Sequence, residues 1–178
     1  MDFDSPGKFA EFLSMVVVPN VATALEEGLH EVGEHVVQEA KSKFGHYQKQ
    51  VYKFPAWAEL SSRTKSNRMS EGFPENEPLL RTGNTRDSID YQVSGGDVVV
   101  GSSEPTMVYH ELGTKTEPPR PVLGPAMYQA RNMIRGIMGK ATVLAIVPGM
   151  KITKVSGFKR TGPRLTSPVW DSYKSGGR

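Results

Sequence analysis

Residues 89–100 read IDYQVSGGDVVV, and this stretch decides the fold. Ile89, Tyr91 and Val93 alternate with polar neighbours, Gly95-Gly96 supplies a two-residue turn, and Val98 and Val100 resume the alternation. A period-two pattern on both sides of a glycine pair predicts a β-hairpin with one buried face. Val98-Val99-Val100 is β-branched throughout, which suits a pleated strand.

Upstream of the hairpin, residues 45–82 carry no regular pattern. Trp57, Leu60 and the polar run Ser61–Arg68 fit a short helix, and Glu71–Pro78, with its prolines and acids, reads as a loop. Further back the period changes. Val17, Val21, Leu25, Leu29, Val32, Val36, Ala40 and Phe44 recur at spacings of three and four, with Glu26, Glu27, Glu31, Glu34, Gln38 and Glu39 between them. This predicts a long amphipathic helix over about 20–44, with Leu25, Leu29, Val32 and Val36 as its buried stripe. Pro19 marks a kink or a late start, a shorter helix is expected over 7–17, and Gly45 after Lys41 and Lys43 ends the long one.

Downstream, Thr106–Leu112 is a short segment stopped at Gly113, and Glu117–Pro121 is extended because each proline keeps its predecessor out of the helical region. A second helix is expected from near Pro125, a good first-turn residue, to about Gly139. Ala126, Tyr128 or Gln129, Met133, Ile137 and Met138 form its partial stripe. Ala141–Val147 reads as an apolar strand stopped by Pro148-Gly149, and Gly157–Arg178 as an irregular arm. The expected class is α+β: a small antiparallel sheet packed with a long N-terminal helix and a second helix over 1–140, then a basic C-terminal strand and extended arm over 141–178.

Composition bounds the chemistry. A hydrophobic share of 37% with 18 glycines and 13 prolines points to a modest core with long irregular segments. There are 0 cysteines, so neither a disulfide framework nor a thiolate metal site can form. The opening MDFDSPGKFAEF lacks the basic-then-apolar order of a signal peptide, and no apolar run approaches the ~20 residues that cross a bilayer. A soluble protein without membrane partners is therefore expected. The net charge of +3 conceals an asymmetry: from Lys140 on there are eight Lys/Arg against Asp171 alone, leaving the first 139 residues at −4.

No catalytic constellation is visible. His30, His35, His46 and His110 include no pair four apart, and His110-Glu111 lacks the second His of the zinc-protease signature. Ser88, Ser102 and Ser103 stand in no G-x-S-x-G context, and Gly95-Gly96 with Gly101 lacks the Lys-Ser/Thr of a phosphate loop. Glu26-Glu27 and Glu31 with Glu34 read as the solvated face of the helix. No enzyme activity, metal or cofactor is expected. The basic arm, with Lys159, Arg160 and Arg164 beside Trp170 and Tyr173, is too apolar to be merely a solvated tail and reads as a partner-contacting segment.

Three short motifs follow one another in order: Pro78-Leu79-Leu80-Arg81-Thr82-Gly83-Asn84-Thr85-Arg86-Asp87-Ser88-Ile89, Tyr109-His110-Glu111-Leu112-Gly113-Thr114 and Pro119-Arg120-Pro121-Val122-Leu123-Gly124-Pro125-Ala126. Over residues 20–138 this pattern resembles the neck, or head–tail joining and tail-completion, proteins of long-tailed bacteriophages. Thr85 stands where that family usually has Leu, and Leu112 and Val122 where it often has Phe. The resemblance implies a virion protein assembled in the host cytoplasm as a homo-oligomeric ring, hexameric or dodecameric, at the head–tail interface. Its partners would be the head-closure or connector ring and the tail tube protein, with DNA in the channel as a further contact. Arg81, Gly83, Arg86, Ser88, Tyr109, Glu111, Gly113, Thr114, Arg120, Pro121 and Pro125 are then the motif residues, with Glu111 and Arg120 able to form a bidentate pair. The rival from another class is a nucleic-acid-binding accessory protein acting through the basic arm.

Overall fold

The computed structural model of the protein describes residues 4–146. The arm residues Lys159, Arg160, Arg164, Trp170 and Tyr173 lie outside the described residues. In chain order the elements are α1 (Pro6–Phe12), a π-helical turn (Leu13–Val17), α2 (Val18–Lys41), α3 (Ser62–Ser70), α4 (Asn84–Asp87), β1 (Ile89–Ser94), β2 (Asp97–Ser102), α5 (Thr106–Leu112) and α6 (Leu123–Ile146). The class is α+β: a long N-terminal helix and a second long helix packed with an antiparallel pair of strands.

The hairpin forms where the alternation places it. Tyr91 pairs with Val100, Val93 with Val98 and Ser94 with Asp97. Gly95 and Gly96 take the turn at φ 61° and 87°, the left-handed values whose twist matches that of the strands. Ile89 and Tyr91 are buried on the face that meets α2.

The helices differ from expectation in three places. Pro19 does not delay α2; it sits in its first turn, and the helical run is continuous from Pro6 to Lys41. The Val18 N–H reaches back to the Leu13 carbonyl, one residue farther than in an α-helix. That wider turn carries the chain past a proline ring that would otherwise crowd the carbonyl four residues earlier. The long run also contains a stretch whose length and mean hydropathy, 1.3, suffice to cross a membrane by composition, with only 6% of it buried. Breaking the pattern at Pro19 hid that stretch from the sequence reading.

The second difference is the buried stripe. Val32 and Val36 are buried as expected, but Leu25 and Leu29 are only half-buried, and the contact is made by Ala24, Gly28, Gly33, Val37 and Ala40. The neighbours lie too near for leucine. A β-carbon on Gly28 would lie 3.0 Å from the Ala141 Cβ, and one on Gly33 only 2.2 Å from Cδ2 of Tyr91. Small residues let a helix backbone approach its neighbours, and dense packing then rewards the approach.

The third is the C-terminal end. Residues 141–146 continue α6 and are not a strand. α6 runs antiparallel to α2: Gln129 accepts from the buried Lys43 ammonium near one end, and Ala141 meets Gly28 near the other. Burying Ala141 against Gly28 outweighs the helix-weakening Gly136 and Gly139 just before it. Two clusters make up the core, one around Phe44, Trp57, Ile89 and Val122, the other around Val32, Val36 and Ile137.

Two substitutions test this packing. Val32→Asp places an unpaired charge at a site 2% exposed, and should cost about 3–5 kcal/mol in a denaturant melt. Gly33→Ala should cost about 1–3 kcal/mol by forcing the Tyr91 ring to move. Wild-type stability for either variant would mean that α2 does not bear the core.

Candidate functional site

The segment between β2 and α6 folds into a tight corner. α5 ends at Gly113, whose φ of +75° a side chain rarely adopts, and where a β-carbon would lie 2.9 Å from the Pro119 nitrogen. The Thr114 N–H donates to the Glu117 carbonyl at 2.9 Å, and the Arg120 N–H to the His110 carbonyl at 2.7 Å. Pro121 is buried, and its carbonyl accepts from the Trp57 indole Nε1 at 3.0 Å. Pro125 is buried in the first turn of α6.

Glu111 and Arg120 both hold this corner, but not as a pair. One Glu111 carboxylate oxygen, Oε1, accepts from the backbone N–H groups of Val122 at 2.7 Å and Leu123 at 2.5 Å. It thus caps the start of α6, where free N–H groups and the positive end of the helix dipole favour an anion. Arg120 reaches the other way, donating to the Ala58 carbonyl at 3.0 and 3.3 Å and to the Glu59 carbonyl at 3.4 Å. The expected ion pair gives way because each group meets an otherwise unsatisfied backbone partner. The two segments do meet, and residues 57–59 join them as a third wall.

On the outside of the corner, α5 buries Met107 and turns Val108, Tyr109 and Leu112 to solvent, the last at 76% exposure. Leu112 lies three residues after Tyr109 and four after Val108, spacings that bring side chains together on a helix surface, so this is an apolar strip.

The first motif fastens the start of the hairpin. Arg81 pairs with Glu71, donates to Asn67 at 3.1 Å and stacks over Phe73 at 5.0 Å. Gly83 is buried at φ +90° before α4. Ser88 Oγ donates to the Thr85 carbonyl at 2.8 Å and meets Ser102 Oγ across the hairpin at 2.7 Å. Arg86 and Asp87 bond each other at 2.8 Å, which raises the guanidinium above its usual pKa and lowers the carboxyl below its own. None of these four residues is placed in the corner.

Three structural side chains escaped the sequence reading. Arg68 is buried, with Nε donating to the Pro74 carbonyl at 2.7 Å and Nη2 to the Leu80 carbonyl at 2.6 Å, so it ties down the 71–80 loop. Lys43 is buried between Glu39 and Gln129. Trp57 roofs the corner. An Arg and a Lys inside polar runs look like surface residues, and nothing local marks them as buried. Among the described residues no group of three or more His, Asp or Glu could hold a metal ion. The chain finds no significant match among protein-family models, characterised proteins or solved structures.

Removing the cap with Glu111→Ala should cost about 1–2 kcal/mol, read in a thermal or denaturant melt, and Glu111→Gln should recover part of it. An unchanged melt for Glu111→Ala would mean that α6 does not rely on this carboxylate. His110 supplies a pH signature. Burial holds its pKa below the usual value, against the nearby Glu117, so the unfolded chain takes up a proton more readily than the folded one. Its contribution is present above the ordinary imidazole pKa of about 6.5 and is lost as pH falls below it. His110→Asn should flatten that acid limb of the stability profile.

Proposed function

We propose that this chain is a structural subunit of the tailed-phage neck, forming a ring that joins the head connector to the tail in a tail-completion or tail-terminator role. The observation that carries the reading is the apolar strip Val108, Tyr109 and Leu112, held outward on a corner fixed by Glu111, Gly113 and Arg120. Solvent-exposed apolar residues on a rigid support suit a surface that must offer the same contact to every neighbour. Among the described residues the sheet has two strands, and ring closure would cover sheet edges that invite uncontrolled pairing. Lys159, Arg160 and Arg164 would add contacts to acidic neighbours or to DNA in the channel. The three ordered motifs support the assignment to the neck in particular.

Native mass measurement of the purified chain, alone and with virion neck components, should give ring masses. A monomer under both conditions would sink the reading. Leu112→Asp should leave the unfolding free energy within about 0.5 kcal/mol of wild type, as exposed substitutions do, yet abolish the ring. The excess of basic residues from Lys140 on keeps a nucleic-acid-binding role as the second reading. Duplex binding that weakens steeply with salt, from a chain that stays monomeric, would favour it.

A further inference from the structure

From Pro6 to Thr23 not one residue is buried. This half of the N-terminal helical run carries Leu13, Met15, Val16 and Val18 at 37%, 69%, 36% and 61% exposure. Its length is about 27 Å, and the run Val16-Val17-Val18 within it is a poor helix former. Such a stretch needs cover to hold its shape.

The cover on the other half of the run is α6, and it stops where the apolar half begins. Gly28 meets Ala141, and α6 continues five residues to Ile146, which at about 1.5 Å per residue ends level with Thr23. Residues 147–178 therefore start beside the uncovered face. Fully extended they would reach about 100 Å, several times the helix they would have to span. They contain Leu165, Val169, Trp170 and Tyr173, and seven Lys/Arg against Asp171 alone.

We infer that residues 147–178 continue past the end of α6 along the N-terminal helix of their own chain and cover its exposed apolar side chains. Leu165, Val169, Trp170 and Tyr173 are the anchors. A tether this short keeps the segment at an effective concentration of about millimolar, ahead of a free partner. The inference does not depend on the ring reading, because the contact is made within one chain.

The chain's 0 cysteines allow a clean test. In the full chain, Ser14→Cys with Ser172→Cys is treated with a short bis-maleimide, and Ser94→Cys with Ser172→Cys serves as the control, Ser94 lying at the hairpin turn. The first pair should bridge within single chains about tenfold faster than the control, at a rate unchanged by dilution. Adding Met15→Ser and Val18→Ser should slow it to the control rate. Bridges between chains would assign the face to a second copy and overturn the inference. So would equal rates for the two pairs, an unchanged rate after the Met15 and Val18 substitutions, or loss of the bridge on adding phosphatidylcholine vesicles. Because bridging is read on the purified chain, it can fail while ring assembly stands, and the reverse.

Discussion

At Gly33 the α2 backbone lies so near the Tyr91 ring that there is no room for a β-carbon. The ring sits across α2 with its hydroxyl 3.3 Å from His30 Nδ1 and 3.4 Å from Glu34 Oε1, so one buried tyrosine clamps strand to helix by packing and by hydrogen bonds. Five residues earlier Gly28 admits α6, where a β-carbon would lie 3.0 Å from the Ala141 Cβ. These two approaches place α6 and the hairpin on adjacent sides of one helix, and the core fills the space they enclose. Because a packed interior resists even a methyl group, the spacing of small residues on α2 sets how near its partners can come.

From that spine the remaining structure follows as a chain of fastenings. β1 and β2 hang on α2 through Ile89 and Tyr91; α5 drops from β2 and buries Met107 beneath the corner. Glu111 then starts α6, so the capping carboxylate belongs to the element before the helix it caps. Long irregular stretches are held in the same manner, by single side chains bonded to backbone carbonyls: Arg68 for the 71–80 loop, Arg120 and Trp57 for the corner. A charged group buried against carbonyl oxygens is costly to leave half-satisfied, and such contacts favour one loop conformation over its alternatives.

What this frame leaves uncovered is as informative as what it buries. The strip on α5 and the N-terminal half of the long helical run expose large aliphatic side chains on regular, supported elements. Scattered exposed apolar residues need no explanation, but rows of them on helices usually do. The first row lies on the rigid corner and is suited to a neighbouring molecule; the second begins where α6 gives out.

The hairpin, the long amphipathic helix, the stop at Gly113 and the stiff proline segment were legible in the sequence, because periodicity and turn chemistry act over a few residues. Val32, Val36 and Gly95-Gly96 were readable on those grounds. The partners were not. Glu111 and Arg120 looked like a pair because opposite charges attract at any separation in sequence, yet backbone groups from Val122, Leu123, Ala58 and Glu59 claimed them. Leu25 and Leu29 looked like core because hydrophobic period ignores how near the neighbour comes, and Ala141–Ile146 looked like a strand because a short apolar run carries no period of its own. Local pattern determined the hairpin, most of the helices and where most of them turn. Only tertiary packing decided which face touches what, since close approach and hydrogen-bond satisfaction depend on residues far away in the chain.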